Sequence, residues 1–357
     1  MDSSSRFSTR RSFIKKMVTA STLTPVLFSQ TLKGGISVPV ECKKVLLDTD
    51  IGNDPDDAAC LAYLCLQEKC DLLGVTTVGK RSHIRAQLAD SICLSLGRTD
   101  VPIAAGASDP LFANLYWWDH HVYQERYLEK YPPRNQYQPG EAVAFMQEKI
   151  RQYPGEVTLL CVGPLTNAAA LWAAYPEVYG LLKEIVIMGG SFRDEPRYDA
   201  NFMMDAIAAG TILERREIPL RAAGVEETGP LSVHNNKVKE WFAEKRYKPL
   251  LDFFTGVPWM ESTQPKWLRD QKLGMHDPFA ASIIFNDNLC DYLRVHARVN
   301  ITDYVIEKKK DVATNEVSGY VSYEPDKHGP HLIARNARKQ ALHDHLAETW
   351  KSFSCDE

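Results

Sequence analysis

The chain lacks a long hydrophobic run of the kind that spans a membrane. Its apolar stretch near the start, residues 17–28, is too short and too rich in threonine to cross a bilayer. Repeats, low-complexity tracts and an internal linker are also absent after the first forty residues. These absences favour one folded body, and the 357 residues, 44% hydrophobic and 25% charged, supply ample material for a core.

Cysteines are present, 8 in all, but their spacing does not fit a zinc site. Cys60, Cys65 and Cys70 recur every five residues, which places them neither on one helix face nor at zinc-ligand spacing. Cys93 and Cys161 also lie in apolar surroundings. We therefore expect buried free thiols rather than zinc ligands or a disulfide framework.

The first 38 residues differ from the rest in composition. They are rich in serine and threonine and carry Arg10-Arg11-Ser12-Phe13-Ile14-Lys15-Lys16 ahead of the weakly apolar stretch. This order of residues resembles a twin-arginine export signal, with a disordered basic tail as the alternative. We expect residues 1–38 to be an export signal and linker, residues 39–357 to be a single domain, and the mature protein to be periplasmic or otherwise extracytoplasmic.

Acidic residues outnumber basic ones in the body of the chain. Residues 1–38 hold six Lys or Arg and one Asp, a net +5, so removing them from the whole-chain charge of −4 leaves −9. An acidic body argues against nucleic acid or an anionic membrane as a partner.

Strand-like and helix-like stretches alternate from Val45 onward. This pattern predicts an α/β fold with an open, mostly parallel sheet flanked by helices. The expected strands are residues 45–47, 72–78, 101–105, 157–162, 184–188 and 220–225. Helices are expected over residues 58–66, near residues 84–96, and in the alanine-rich stretch after Asn167.

Five aspartates follow the first expected strand: Asp48, Asp50, Asp54, Asp56 and Asp57. Because open α/β sheets bind ligands at the carboxyl ends of their strands, this stretch is the candidate site. One aspartate would satisfy a helix cap, whereas a cluster favours a hard cation such as calcium, which binds carboxylates and carbonyls. An EF-hand does not fit, since no glycine stands at the sixth position and no glutamate closes the loop.

A phosphotransferase of the haloacid-dehalogenase type is a rival interpretation of the same stretch. It also opens with a hydrophobic strand and Asp-x-Asp, and it would use Asp48 as nucleophile and Asp50 as acid. The chain has no recognisable later pair of aspartates to support it.

The segment 111–138 is rich in aromatic and polar residues, among them Trp117, Trp118, His120 and His121. Its rings could wall a pocket for a flat ligand or could be ordinary loop packing, and these two interpretations stay open. The adjacent histidines are not at metal-ligand spacing on a helix.

Several motifs resemble the inosine-uridine preferring nucleoside hydrolase family. In the family's order they are Asp48-Thr49-Asp50-Ile51-Gly52 with Asp56-Asp57-Ala58, residues 74–78, residues 97–106, Gly163-Pro164-Leu165-Thr166-Asn167, Met188-Gly189-Gly190, Asp199-x-Asn201 with Asp205, and His276-Asp277-Pro278-Phe279-Ala280. Each motif alone is weak, but their common order from residue 45 to about residue 284 makes the resemblance specific.

The resemblance implies a Rossmann-like nucleoside hydrolase domain over residues 39–357 that cleaves the N-glycosidic bond of ribonucleosides to free base and ribose. Such cleavage builds positive charge on the ribose in an oxocarbenium-like transition state. Carried over by position, one Ca²⁺ would be bound by Asp50, Asp57, Asp277 and the main-chain carbonyl of Val162. Asp50 would also be the general base for the attacking water, whose acidity the cation raises.

The resemblance also implies the substrate contacts. Asp56 and Asn201 would hold ribose hydroxyls, with Asp199 beside them where the family has glutamate. Met188 would pack near the sugar, and His276 would protonate or orient the leaving base.

Structural roles are the alternatives for these residues. Asp199 and Asn201 could be turn or cap residues, His276 a core histidine, and Asp277 a helix cap. Thr166-Asn167 is expected to be structural rather than catalytic.

The chain departs from the family's pattern near the substrate. Two extra residues, Asp54-Pro55, precede the aspartate pair, so Asp54 could replace Asp56 or join the metal. Gly79-Lys80 stands where the family has Gly-Asn, and the segment from Met188 to Asn201 is shorter. These changes leave the metal and water residues intact and alter the sugar and base contacts.

Three functions therefore stay open: a nucleoside hydrolase, a ribosidase for a modified or non-nucleoside riboside, and a calcium-dependent ribose-binding protein without turnover. The expected partners are a small nucleoside and further copies of the chain in a homo-oligomer, a dimer or a tetramer. Neither nucleic acid nor a membrane is expected once the signal is removed.

Overall fold

Alternating strands and helices build a central sheet, as the sequence predicts. The computed structural model describes residues 42–111, 122–195, 197–255, 272–304 and 316–352, all of which belong to one compact unit that begins at Cys42. The predicted export signal and residues 112–121 of the aromatic segment lie outside the described residues. The strands are β1 Lys43–Thr49, β2 Cys70–Thr77, β3 Ile103–Ala105, β4 Val157–Cys161, β5 Glu184–Met188, β6 Leu220–Ala223, β7 Val233–His234, β8 Lys272–Leu273, β9 Asp291–Tyr304, β10 Glu316–Pro325 and β11 His331–Arg335.

Nine strands form the main sheet in the order β10-β9-β11-β6-β5-β4-β1-β2-β3, and β7 pairs with β8 separately. From β11 to β3 all neighbours are parallel, whereas β9 runs antiparallel to both β11 and β10. The predicted mostly parallel sheet is therefore confirmed. The strand order reverses between β4 and β1, and this reversal creates the crevice in which such sheets bind ligands.

Helices cover both faces of the sheet. They are α1 Asp56–Leu66, α2 Ser82–Ser95, α3 Tyr127–Lys130, α4 Ala142–Gln152, α5 Thr166–Ala174, α6 Pro176–Tyr179, α7 Ala200–Met204, α8 Ala206–Leu213, α9 Val225–Thr228, α10 Asn235–Trp241, α11 Lys248–Thr255, α12 His276–Phe285 and α13 Lys339–Ser352. Short 3₁₀ turns occupy Gly229–Leu231, Lys245–Tyr247 and Asp287–Leu289. No helix in the described ranges is long and apolar enough to cross a membrane.

The sheet separates two apolar cores because side chains alternate between its faces. Val45 and Leu47 of β1 pack into one core, whereas Leu46 between them packs into the other. In β4, Leu160 and Leu159 divide in the same way. A strand that is apolar on both faces reads as a continuous hydrophobic run, which is why these strands were predictable.

The cysteines behave as predicted. Cys60, Cys65, Cys93 and Cys161 are free and buried, and Cys70 is free and half-buried. They contribute to the core as small apolar side chains.

Candidate active site

The acidic loop runs from Asp50, just after β1, to the first turn of α1. Gly52 within it has φ +125°, and a Cβ there would lie 2.4 Å from Cγ1 of Val122, so the turn requires glycine. The amide of Gln124 donates to the carbonyl oxygen of Gly52 at 3.0 Å. The loop is therefore packed tightly against Val122 and Gln124.

Three carboxylates meet where α1 and α12 begin. Asp56 and Asp57 lie in the first turn of α1, Asp277 lies in the first turn of α12, and all three are buried. One oxygen from each lies within 4.8 Å of the others. A hard cation with oxygen ligands at about 2.3–2.6 Å fits such a set of donors. The two helix N-termini also favour negative charge at this point.

The buried carboxylates of the cluster repel one another, so a positive charge among them would be stabilising. Burial, reinforced by the neighbouring carboxylates, raises the pKa of Asp57 and of Asp277 well above the usual range. Burial also raises the pKa of Asp50 to about 6, although the Arg85 guanidinium opposes that rise. A bound cation would relieve the repulsion among these groups.

Asp54 and Asp56 differ clearly in position. Asp56 is buried within the cluster, whereas Asp54 is exposed in the loop. Of the two, Asp56 is the one that lies beside Asp57 and Asp277. The cluster thus contains Asp56 in addition to two of the predicted metal ligands, and Asp50 lies close enough to raise their pKa values.

Asp48 lies deeper than the cluster and is fully buried. Its Oδ1 accepts hydrogen bonds from Thr76 Oγ1 at 2.7 Å and Asn167 Nδ2 at 2.8 Å. Burial raises its pKa to about 7. A carboxyl sealed in this way has no access to a phosphoryl donor, which argues against the phosphotransferase interpretation. Asn167, bonded to Asp48, also donates to the carbonyl oxygen of Thr77, so its role is structural.

Arg85 of α2 is a site residue that the sequence patterns did not reveal. Its buried guanidinium donates to the carbonyl oxygens of Asp50, of Ile51 at 3.0 Å and of Lys80 at 2.9 Å. It therefore ties the loop after β1 to the loop after β2. An arginine in a helix carries no motif, and only the tertiary contact identifies this one.

The ends of β4 and β5 and the start of α7 carry further residues predicted to belong to the site. Asn201 Nδ2 donates to the carbonyl oxygens of Val162 at 2.8 Å and Met188 at 3.0 Å. Asp199 caps α7 by accepting from the amide of Phe202 at 3.0 Å, and burial raises its pKa. The cap interpretation of Asp199 is thus correct. A carboxylate that caps a helix can also contact a substrate with its second oxygen.

His276 is the first residue of α12 and lies at the edge of the cluster. Its Nδ1 is 2.7 Å from Oγ1 of Thr228, a second residue that the sequence analysis missed. A Cβ on Gly274 would lie 3.4 Å from Asp56 Oδ2 and 3.5 Å from His276 Nε2, so both atoms lie close to Gly274. The helix-cap interpretation of Asp277 is wrong, because Met275 is at the N-cap position and Asp277 lies inside the first turn.

Two rings in the described part of the aromatic segment, Tyr127 and Tyr131, pack against the core. The buried Tyr127 lies 4.7 Å, between ring centroids, from Tyr131 and 4.9 Å from Phe253. Ordinary packing therefore explains these rings. Trp117, Trp118, His120 and His121 lie outside the described residues.

Comparison with known proteins places this arrangement in a family. Residues 45–335 match the family model described as inosine-uridine preferring nucleoside hydrolase. The pyrimidine-specific ribonucleoside hydrolase RihA of a Shewanella species (strain ANA-3) is 31% identical over 261 residues, covering 70% of this chain and 80% of that protein.

Solved structures agree in fold. A purine-preferring ribonucleoside hydrolase from Gardnerella vaginalis superposes with a TM-score of 0.67 at 20% identity, covering 86% of this chain and 98% of that one. An inosine-guanosine nucleoside hydrolase gives a TM-score of 0.69 at 14% identity, covering 88% and 100%.

The fold and the sequence relationship together define an N-glycosyl hydrolase with an acidic site at the carboxyl edge of its sheet. The chain belongs to the inosine-uridine preferring nucleoside hydrolase family. The family resemblance found in the sequence is thereby confirmed.

Proposed function

We propose that this enzyme hydrolyses the N-glycosidic bond of ribonucleosides at a calcium site formed by the acidic loop and the start of α12. The observation that supports this best is the cluster of Asp56, Asp57 and Asp277, buried at two helix N-termini beside the sheet's switch point. An acidic cluster that merely faced solvent would not bury its carboxylates in this way.

Oxygen donors from three parts of the chain would hold the ion. In the proposal, Asp50, Asp57, Asp277 and the carbonyl of Val162 are ligands. The Val162 carbonyl already accepts one hydrogen bond from Asn201, and its second lone pair is suited to a cation. When bound, calcium would supply the positive charge that acidifies the attacking water and grips the ribose hydroxyls.

Side chains of this chain would carry the remaining steps. Asp50 would take the proton from the attacking water, and the contact of its backbone with Arg85 fixes its position. Asp56, Asp199 and Asn201 would hold the ribose hydroxyls, and Met188 would pack against the sugar. His276 would donate a hydrogen bond to the base as the C1′–N bond breaks and the electron pair passes to the base.

Release of ribose from a panel of ribonucleosides, with and without chelator, tests the proposal. Pyrimidine ribonucleosides belong first in the panel because RihA, the Shewanella relative, is named pyrimidine-specific. We expect turnover of at least one common nucleoside, abolished by chelator and restored by calcium. Asp50→Asn should lower kcat by roughly 10²–10⁴-fold, the usual contribution of a general base. Chelator-resistant turnover would contradict the metal's role.

A ribosidase acting on a modified riboside is the second candidate, because Asp199 is one methylene shorter than the family's glutamate and its carboxylate is engaged at the α7 cap. That candidate gains support if common nucleosides are inert while a modified or nicotinamide riboside is cleaved. Calcium-dependent binding of ribosides with no ribose release from any of them would instead indicate a binding protein without turnover.

A further inference from the structure

Thr228 is a buried hydroxyl residue beside the site for which the family resemblance supplies no role. It ends the four-residue helix α9, which directly follows β6, and it is 0% exposed. Its Oγ1 lies 2.7 Å from Nδ1 of His276, a short distance for such a hydrogen bond. The contact therefore joins the end of β6 to the start of α12.

The direction of this hydrogen bond follows from where the hydroxyl hydrogen can go. Threonine in a helix often donates to the carbonyl four residues earlier, but the backbone amides of Glu227 and Thr228 already occupy both lone pairs of the Gly224 carbonyl oxygen, each at 3.1 Å. Across the described ranges, Thr228 Oγ1 has one hydrogen-bond partner, His276 Nδ1. Because a buried hydroxyl hydrogen without an acceptor is costly, Oγ1–H donates to Nδ1.

A histidine that accepts at Nδ1 carries its hydrogen on Nε2. The Nε2 atom lies no more than 6.9 Å from Asp56 Oδ2, the sum of the 3.5 and 3.4 Å that separate the two atoms from the point where a Cβ on Gly274 would be. The neutral imidazole therefore presents an N–H donor to the site. The opposite tautomer would present a lone pair and repel the electron-rich atoms of a departing base.

We infer that Thr228 is a positioning residue that holds His276 in the tautomer whose Nε2–H points at the leaving base. This inference rests on the proposed function for its catalytic consequence, but the tautomer itself is a property of the folded chain. The leaving groups that benefit are those with a ring nitrogen or carbonyl oxygen able to accept a hydrogen bond. An activated leaving group such as p-nitrophenolate departs without that help.

The tautomer can be measured directly and without turnover. In long-range ¹H–¹⁵N spectra of the full chain labelled at histidine, the His276 signals are identified by their loss in His276→Asn. We expect a pyridine-type Nδ1 and a protonated, pyrrole-type Nε2. A protonated Nδ1 with an unprotonated Nε2 would overturn the inference whether or not the protein cleaves any nucleoside.

Kinetics of Thr228→Val and Thr228→Ser then test the consequence at saturating calcium. Thr228→Val keeps the shape and removes the hydroxyl, so kcat for the best natural nucleoside should fall by at least about tenfold. The upper bound is the roughly 10⁴-fold loss seen when a catalytic histidine takes the wrong tautomer. The p-nitrophenyl riboside should change by less than about threefold, and Thr228→Ser should restore the natural rate.

Thr158→Val provides the matched control, because Thr158 of β4 is also a buried threonine but donates to Glu184 of β5 rather than to a residue of the site. It should leave both rates near wild type. Equal loss on both substrates in Thr228→Val would show a merely structural role, as would failure of Thr228→Ser to restore the rate. If Thr228→Val does not fold, Thr228→Ser and the spectrum of the unmodified chain still decide the matter.

Discussion

The aspartates around the acidic loop differ in burial, and that difference separates their expected roles. Asp56 lies in the carboxylate cluster, whereas Asp54, one of the two extra residues in the loop, is exposed. A buried carboxylate contributes much more to cation binding than an exposed one, because less solvent screens its charge. The extra residues thus lengthen the loop without displacing Asp56 from the cluster.

Neutralising these two residues should have unequal effects. Asp56→Asn removes one negative charge from the cluster, so calcium affinity should fall by about tenfold or more, equivalent to at least about 1.4 kcal/mol. Asp54→Asn, the matched control, should change it by less than about threefold. Titration calorimetry with calcium measures both. A larger loss of calcium affinity in Asp54→Asn than in Asp56→Asn would show that Asp54, rather than Asp56, contributes to calcium binding.

Asp48 makes stability depend on pH. Its pKa is about 7 in the folded chain against an ordinary 3.8, because burial disfavours its charged form. Below pH 4 both states hold the proton. Between about pH 4 and 7 the unfolded chain loses it and the folded chain keeps it, so the folded state binds more protons and stability falls as pH rises. The shift of about 3 units corresponds to roughly 4 kcal/mol.

Asp48→Asn should remove this dependence. Its amide oxygen can still accept from Thr76 and Asn167, and the side chain cannot ionise. In chelator, the free energy of unfolding of Asp48→Asn relative to wild type should therefore rise between pH 4 and 7 and level off above pH 7. Urea unfolding at each pH measures it. A difference independent of pH would mean that Asp48 is charged in the folded chain.

Strands that are apolar on both faces were predictable from the sequence. Strands that alternate between buried and exposed side chains, such as β9, were not. β5 has the predicted bounds Glu184–Met188, because its buried run has no competing pattern. β9 was missed: Val295 and Ala297 are buried but Arg298 is exposed, so its sequence alternates and contains no apolar run. Its place in the sheet depends on pairing with β10 and β11, which no local signal reveals.

The site was predictable where its residues form contiguous motifs and not where they meet through the fold. Asp56, Asp57 and Asp277 were identified from two motifs, and the structure brings them together. Arg85 and Thr228 were missed because each stands alone in its helix. Their contacts with Asp50 and His276 exist only once α2 and α9 pack beside the strand ends.

The junction between α2 and the two strand-end loops depends on Arg85. Arg85→Met would leave the carbonyl oxygens of Asp50, Ile51 and Lys80 without their buried donor. Each such orphan costs about 1–3 kcal/mol, so the free energy of unfolding should fall by roughly 2–4 kcal/mol once solvent access and relaxation offset part of it. Chemical denaturation with calcium removed measures the change.

Arg81→Met is the matched control for this element. Arg81 immediately precedes the same helix and pairs with Glu125, but both side chains are about one third exposed or more, so the loss should stay below about 1 kcal/mol. Equal losses in the two variants would show that the buried contacts of Arg85 add nothing beyond a surface ion pair.

For the whole molecule, the fold explains why motifs far apart in sequence form one site. The sheet's order reverses between β4 and β1, so the loops after these strands diverge and leave a crevice. Asp50 follows β1, Val162 follows β4 and Met188 ends β5 along one edge. The start of α12 then brings Asp277 to the same edge, which closes the acidic site.

Residues 1–38, which lie outside the described residues, carry the predicted export signal. Arg10-Arg11-Ser12-Phe13-Ile14-Lys15 matches the order of a twin-arginine signal, a route that carries folded proteins. A body with buried free thiols is suited to folding before export, since it has no need of an oxidising compartment.

Replacing both Arg10 and Arg11 by Lys keeps the charge and removes the recognised pair. The double variant should therefore accumulate as folded protein in the cytoplasm, whereas Arg6→Lys, outside the pair, should be exported normally. Immunoblots of cytoplasmic and periplasmic fractions measure both, and normal export of the double variant would favour a basic tail over the signal.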